Sequence, residues 1–254
     1  MYEFILTDNN YCDMIFKNER ENLIYFNIDK YGKMSKENEF SFKIIWFVVW
    51  YMTSQFLWRY MMEEKLSEIE EYAKEKRIPI MMKDGIEFLC NYIKEHKIKR
   101  ILEIGSAIGY SAIKMALIDK DIKIVTIERD KERYDEAIKN IDYFNLNEQI
   151  EIINGDAMDV SVDGMYDLIF IDAAKGHNID FFEKYQDNLD MNGVIITDNL
   201  SFHGLVEDEC LIETKNQRGI VRKIKMFIDY LDNNKEFITE YVAVGDRISI
   251  SKRI

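Results

Sequence analysis

Apolar and polar residues recur with two different periods along most of the chain. Apolar residues at helical spacing begin near Leu66 and Ile69, with Glu and Lys between them. From Arg100 onward, short apolar runs typical of buried strands alternate with longer amphipathic segments typical of helices. The predicted strands of this part are residues 100–104, 123–128, 150–153, 166–172 and 193–198. Strands that alternate with helices in this way predict a parallel sheet.

Two further apolar segments close the chain, at residues 237–244 and 247–251, and only Gly245 and Asp246 separate them. Strands joined by so short a turn pair in antiparallel fashion. We therefore predict an α/β fold of Rossmann-like type. Its sheet is seven-stranded and mostly parallel, with an antiparallel C-terminal hairpin at one edge.

Residues 1–60 show no clean period and are rich in aromatic residues, Asn and Lys. Their uncharged stretch, 44–58, falls short of the roughly 20 apolar residues of a spanning helix. We therefore expect no transmembrane span. Three interpretations stay open: a segment that docks on a hydrophobic face, an interfacial membrane helix, or an extension upstream of a native start at Met61 or Met62. A length of 254 residues suits one large domain with an appendage. We expect residues 1–60 to be an extension of unknown role and residues 61–254 to be the main domain.

The first predicted strand runs into a glycine turn and then a helix. A dinucleotide site would show G-x-G-x-x-G at this point, whereas the chain has Glu103-x-Gly105-x-x-x-Gly109. Glycine allows the backbone to turn sharply and to approach a ligand closely. The next strand ends in Glu128, whose carboxylate can accept hydrogen bonds from both hydroxyls of a ribose.

Acidic residues stand at the ends of all five predicted parallel strands. They are Glu103, Glu128, Asp156, Asp172 and Asp198. Ligands of such sheets bind beyond the carboxyl ends of the strands. Asp172, Asp198 and the adjacent Asn199 supply hard oxygen ligands, which Mg²⁺ and Ca²⁺ prefer. An Asx turn alone would also explain the Asp198-Asn199 pair.

Charge constrains the partners of the protein. The net charge of −13 and the pI of about 4.8 argue against nonspecific nucleic-acid binding through bulk charge. One predicted helix is nevertheless basic, with Arg218, Arg222, Lys223 and Lys225. Such a helix can bind phosphates or can be an ordinary solvated face. The three cysteines are far apart and suggest no disulfide framework, which suits the cytoplasm.

The glycine motif, Ile171-Asp-Ala-Ala-Lys175 and Ile196-Thr-Asp-Asn199 together resemble the metal-dependent class I S-adenosylmethionine O-methyltransferases related to the catechol and caffeoyl-CoA enzymes. The resemblance covers about residues 62–254. It implies S-adenosylmethionine and Mg²⁺ as cofactors, and it suggests a homodimer. The implied S-adenosylmethionine contacts are Met81, Glu103, Gly105, Ser111, Glu128, Asp156, Ala157 and Asp172. The implied metal ligands are Asp172, Asp198 and Asn199, and the implied general base is Lys175.

Residues 216–224 and 244–250 resemble the bacterial tRNA 5-hydroxyuridine methyltransferases of this family, which form 5-methoxyuridine at the anticodon wobble position. That resemblance gives the basic helix a role in RNA binding. Ala173 and Ala174 replace the aromatic gate of the catechol enzymes, which disfavours a small catechol. The leading hypothesis is a tRNA methyltransferase. One alternative is a small-molecule O-methyltransferase of catechol-like phenols, and another is a non-catalytic protein that binds S-adenosylmethionine or docks on a membrane through residues 1–60.

Overall fold

The computed structural model describes residues 60–254 in full, and it describes the backbone of three strands at residues 2–7, 11–17 and 23–28. The chain divides into two compact units, Met1–Met61 and Met62–Ile254. The strands of the N-terminal unit are β1 (Tyr2–Thr7), β2 (Tyr11–Lys17) and β3 (Leu23–Ile28), and they pair antiparallel in the order β1-β2-β3. No period in the sequence predicted them. The apolar stretch at 44–58 lies outside the described residues, and the role of the extension stays a prediction.

Helices and strands alternate through the second unit, as the sequence pattern predicts. The described part of α1 covers residues 60–76, and the other helices are α2 (Lys83–Glu95), α3 (Tyr110–Ala116), α4 (Lys131–Tyr143), α5 (Asn178–Tyr185) and α6 (Lys215–Asp232). The strands are β4 (Arg100–Ile104), β5 (Lys123–Glu128), β6 (Ile150–Asn154), β7 (Tyr166–Ile171), β8 (Leu189–Thr197), β9 (Phe237–Val242) and β10 (Ile248–Arg253). None of these helices is long and apolar enough to cross a membrane.

The second unit is built on a seven-stranded sheet with the order β6-β5-β4-β7-β8-β10-β9. The first five strands of this order are parallel, and β10 pairs antiparallel with both β8 and β9. The predicted fold class is therefore confirmed. Because successive strand residues face opposite sides, Ile101 belongs to a core with residues of α2 and α3, whereas Leu102 belongs to a core with residues of α5 and α6.

Several element boundaries differ from the sequence prediction, most of them by one or two residues. Strand β8 begins at Leu189 rather than at Gly193. Its register with β7 shifts between Leu189 and Val194, and Met191 is exposed, so the apolar pattern of the sequence does not show the first residues of the strand. The apolar spacing of residues 81–93 also predicts a helix with Asp84 at its N-cap, but α2 begins at Lys83 and Met82 occupies its N-cap position. The Asp84 carboxylate instead accepts hydrogen bonds from the backbone N–H groups of Gly85 and Gly245.

Candidate active site

The carboxyl ends of the parallel strands open into one cavity of about 690 Å³. Its lining falls into two parts. The glycine side comprises the residues that follow β4, β5 and β6, and the aspartate side comprises those that follow β7 and β8. Met81 and Met82, which precede α2, also line the cavity. The location agrees with the general rule for ligands of parallel sheets.

The turn after β4 needs glycine at two positions. Gly105 has φ +96°, and a Cβ there would lie 2.5 Å from the carbonyl oxygen of Asp172. Gly109 has φ +82°, and a Cβ there would lie 3.3 Å from the Cβ of Ala137 on α4. Left-handed backbone favours glycine, and the crowding adds a second reason at Gly105. Gly105 thus allows the turn to lie directly against the end of β7, and Gly109 allows it to lie against α4.

Glu103 is enclosed beneath the cavity. Its carboxyl oxygens accept hydrogen bonds from Ser111 Oγ and Thr126 Oγ1, each at 2.5 Å, and its side chain is fully buried. Burial raises the pKa of Glu103 to about 7, although the two hydroxyl donors oppose this rise. Ser111 lines the cavity. Glu103 therefore supports the site through Ser111, and its direct contact with a ligand stays a prediction.

Glu128 lines the cavity and is held by the backbone. Its Oε2 accepts from the N–H of Ala107 at 2.9 Å, and its Oε1 accepts from the N–H of Asp130 at 2.8 Å. Each carboxylate oxygen has a second lone pair, so the fixed side chain can still accept from two hydroxyl groups. Asp156 and Ala157 follow β6 in the same lining, and Asp156 Oδ1 accepts from the N–H of Met158 at 2.9 Å.

The aspartate side brings together the predicted metal ligands and the predicted base. Strands β7 and β8 are neighbours, and the N–H of Asp198 donates to the carbonyl oxygen of Ile171 at 3.1 Å. Asn199 has φ +64°, and its N–H and Nδ2 donate to the two oxygens of Asp198 at 2.7 and 3.1 Å. Lys175 Nζ donates to Asn199 Oδ1 at 2.7 Å. Asp172 follows β7 in the same lining, and its N–H donates to the carbonyl oxygen of Ile104.

Negative charge exceeds positive charge on the aspartate side. Burial and the Asp198 carboxylate raise the pKa of Asp172 well above its ordinary value, and burial likewise raises the pKa of Asp198. Lys175 opposes both shifts. Asp246, in the turn before β10, reinforces them, and its side chain is only 4% exposed.

Asp246 is a residue of this site that the sequence did not reveal. Its Oδ1 accepts from the N–H of His203 at 2.6 Å, whereas its buried Oδ2 has no hydrogen-bond partner in the described part of the chain. Phe202 and His203 also line the cavity, both with positive φ. Such backbone angles in residues other than glycine leave no signal in a sequence. The only signal for Asp246 was its place in the Gly245-Asp246 turn.

The donors of the aspartate side fit a hard divalent cation. The half-buried Asp172 and the buried Asp198 have raised pKa values, and Asp246 nearby has a carboxylate oxygen without a partner in the described residues, so a cation would stabilise this group. Among residues 60–254, no group of three or more His, Cys, Asp or Glu side chains could hold a metal. The amide oxygen of Asn199, next to Asp198, is of the same hard-oxygen type as the two carboxylates.

The basic helix α6 lies beside the cavity, which Ile220 lines. Val221, Ile224 and Phe227 are buried and fix one face of the helix. Two of its four predicted RNA contacts already have protein partners. Lys223 Nζ donates to the carbonyl oxygen of Gly176 at 3.1 Å, and Lys225 pairs with Glu209. Arg218 lies near enough to Glu209 to lower the pKa of that carboxyl, and Arg222 is exposed.

This fold and cavity, with a glycine turn and a fixed acid at the next strand end, define a class I methyltransferase. A sequence model of O-methyltransferases matches residues 59–254, and the chain belongs to that family. A caffeoyl-CoA O-methyltransferase of Medicago sativa is 29% identical over 231 residues, which cover 80% of this chain and 90% of that protein.

Solved structures agree with this assignment. The crystal structure of a caffeoyl-CoA O-methyltransferase homologue from Staphylococcus aureus is 31% identical, with a TM-score of 0.72, and the match covers 80% of this chain and 100% of that one. A methyltransferase of Podospora anserina with bound S-adenosylhomocysteine has a TM-score of 0.68 at 22% identity, covers 88% of this chain and 99% of that one, and shows the shared fold. The protein is an S-adenosylmethionine-dependent O-methyltransferase.

Proposed function

We propose that the protein transfers the methyl group of S-adenosylmethionine to the 5-hydroxyl of 5-hydroxyuridine at the tRNA anticodon wobble position, which gives 5-methoxyuridine. The observation that carries the chemistry is the pairing of two sides in one cavity. The glycine side suits a nucleoside cofactor, and the aspartate side suits an acidic hydroxyl held beside a cation.

The residues of the glycine side bind and orient the methyl donor in this proposal. Glu128 accepts from the ribose hydroxyls, and Asp156 accepts from the exocyclic amine of the adenine. Met81, Gly105, Ser111 and Ala157 line the same space. The sulfonium methyl is already electrophilic, so the protein has to hold an acceptor oxygen in line with it at near-attack distance.

The residues of the aspartate side prepare the acceptor. Asp172, Asp198 and Asn199 would hold Mg²⁺, which lowers the pKa of a bound hydroxyl. Lys175, as the neutral amine, takes the hydroxyl proton and becomes an ammonium group, since its Nζ lies 2.7 Å from Asn199 Oδ1, at the edge of the proposed ligand set. Phe202 and His203 form a wall of the same cavity and limit the access of water.

The choice of RNA as the acceptor rests on α6 and on the resemblance of its sequence to the tRNA enzymes. An exposed Arg222 and a nearby Arg218 present positive charge beside the cavity of a chain with a net charge of −13. Phosphates favour such a surface. O4 and O5 of 5-hydroxyuridine are neighbouring oxygens, as in a catechol, and a base of a single-stranded loop can enter a pocket. A homodimer and a cytoplasmic location stay predictions.

A second candidate acceptor is a small catechol-like phenol. The names of the caffeoyl-CoA relatives favour it, and the same residues would carry the transfer. The two acceptors differ in their need for α6, because a small phenol has no phosphates for Arg218 and Arg222 to bind.

The test offers labelled S-adenosylmethionine and Mg²⁺ with two acceptors in parallel, tRNA that contains 5-hydroxyuridine and free catechol. We expect 5-methoxyuridine by nucleoside mass spectrometry, at a turnover well above that on catechol, and no product from tRNA that lacks 5-hydroxyuridine. EDTA should abolish the transfer. Methylated catechol with unchanged tRNA would assign the protein to the small-molecule enzymes. Methyl transfer that persists in EDTA would show that the reaction needs no divalent cation.

A further inference from the structure

The turn that carries Lys175 has a small set of side-chain contacts: Lys175 with Asn199, and His177 with Asp180 and Phe181 of α5. Residues Lys175–His177 form a single 3₁₀ turn between β7 and α5, with no side-chain cap and no buried residue. Inside the turn, the N–H of His177 donates to the carbonyl oxygen of Ala174 at 2.9 Å. A short turn with no buried residue opens more easily when fewer neighbouring elements hold it.

Helix α6 also contacts the turn, through the side chain of Lys223. Lys223 Nζ donates to the carbonyl oxygen of Gly176 at 3.1 Å. A Cβ added to Gly176 would lie 3.0 Å from Lys223 Nζ and 3.3 Å from Lys223 Cδ, so the lysine side chain lies directly against the Cα of Gly176. Val221 and Ile224, on either side of the Arg222-Lys223 pair, are buried in the core and fix the helix. The ammonium group therefore projects from a rigid element.

We infer that Lys223 is a positioning residue for Lys175, which it serves by holding the 175–177 turn through the carbonyl oxygen of Gly176. A hydrogen bond from a charged donor is stronger than one between neutral groups. The contact between Lys223 and Gly176 lies one residue from Lys175, whose own Nζ donates to Asn199 Oδ1. The inference concerns the O-methyltransferase reaction and does not depend on which acceptor is methylated.

This role is different from the RNA contact that the sequence resemblance implied for Lys223. An ammonium that binds the Gly176 carbonyl is oriented toward the protein. Arg222, the preceding residue, is exposed and makes no hydrogen bond or ion pair within residues 60–254. Replacing Lys223 and replacing Arg222 should therefore change the activity in different ways.

The first measurement is hydrogen exchange of residues 173–180 in Lys223→Met, with Lys215→Met as the matched control. Lys215 is an exposed lysine in the first turn of the same helix. We expect the His177 amide to exchange about tenfold faster in Lys223→Met and at the wild-type rate in Lys215→Met. Equal exchange in the two variants would overturn the inference, whatever the acceptor proves to be.

Kinetics then separate positioning from general damage. We expect Lys223→Met to lower kcat about tenfold on tRNA and on catechol alike, with the KM for S-adenosylmethionine unchanged, because the glycine side is not touched. Lys223→Arg should recover most of kcat, since a guanidinium can donate to the same carbonyl. Loss of activity on tRNA alone would identify Lys223 as an RNA contact and overturn the inference.

A double-mutant cycle tests the contact itself. Gly176→Ala places a Cβ against the Lys223 side chain and should lower kcat, whereas the same change in a Lys223→Ala background should cost much less. Additive effects would mean that the two residues do not act through each other and would overturn the inference. The cycle also remains informative if Lys223→Met folds poorly, because the midpoint of thermal unfolding is measured for each variant.

Discussion

The acidic residues on the two sides of the cavity have different surroundings. On the glycine side, every predicted acid already has donors: Glu103 has two hydroxyl groups, Glu128 has two backbone N–H groups, and Asp156 has one backbone N–H group. On the aspartate side, Asp172 and Asp198 repel each other, and Asp246 leaves a buried oxygen without a partner in the described residues.

This difference indicates which side is complete without a ligand. Asp198 also has two donors, both from Asn199, so the difference lies in the crowding of the carboxylates, and crowded carboxylates gain a great deal from a cation. The glycine side is thus organised before the cofactor arrives. On the aspartate side, Lys175 is the cation that lowers the pKa of both Asp172 and Asp198, and its single charge does not balance theirs.

The largest effect should come from Asp198→Ala. This change removes one proposed ligand of the cation, and it also removes the acceptor for both Asn199 donors. We expect methyl transfer to fall by roughly a thousandfold or more, which corresponds to about 4 kcal/mol of transition-state stabilisation. Calorimetric titration should show S-adenosylmethionine bound nearly as tightly as by the wild type.

The mirror variant on the glycine side is Glu128→Gln. It keeps the size of the side chain but replaces one acceptor oxygen with a donor. We expect the KM for S-adenosylmethionine to rise about tenfold while kcat changes little. If Asp198→Ala weakened cofactor binding as much as Glu128→Gln, the assignment of cofactor binding to the glycine side alone would be wrong.

The sequence predicted the sheet well because its strands are apolar runs with glycine and acidic residues at their ends. It also predicted that the residues at the ends of β7 and β8 meet, because those strands are neighbours. It could not predict Asp246, whose approach to Asp198 depends on where β10 pairs with β8. The burial of Glu103 in an apolar run implied that it needs a partner, but the sequence could not identify the partners, since the neighbouring strand β5 supplies one of them.

A loss of folding stability is expected at the point where the two sides touch. A Cβ on Gly105 would lie 2.5 Å from the carbonyl oxygen of Asp172, so Gly105→Ala must push the turn after β4 away from the end of β7. We expect a loss of about 3–5 kcal/mol in the free energy of unfolding, together with weaker cofactor binding. Chemical denaturation measures the first effect, and calorimetric titration measures the second.

Gly164→Ala is the matched control for Gly105→Ala. Gly164 has φ +91°, close to the +96° of Gly105, but a Cβ there has no neighbour within 4 Å. It should cost only the strain of the left-handed backbone, about 1–2 kcal/mol. Equal losses in the two variants would mean that the contact between the turn and β7 contributes nothing.

A pH dependence of the folding stability belongs to Glu103. Its pKa rises from an ordinary 4.5 to about 7 in the folded protein, so folding favours the protonated form. Stability from this residue is therefore fully present below pH 4.5, falls as the pH rises from 4.5 to 7, and stays constant above that. The whole change corresponds to at most about 3 kcal/mol.

Glu103→Gln removes this titration and keeps the shape of the side chain. Its hydrogen bonds can persist, because a hydroxyl of Ser111 or Thr126 can accept from the amide as well as donate to it. We expect the variant to gain stability relative to the wild type as the pH rises from 5 to 8, measured by urea unfolding. Other titrating groups are common to both proteins and cancel in the difference. Parallel curves would show that the wild-type carboxylate is stabilised as well as its protonated form, and the glycine side would then be satisfied in its charge as well as in its hydrogen bonds.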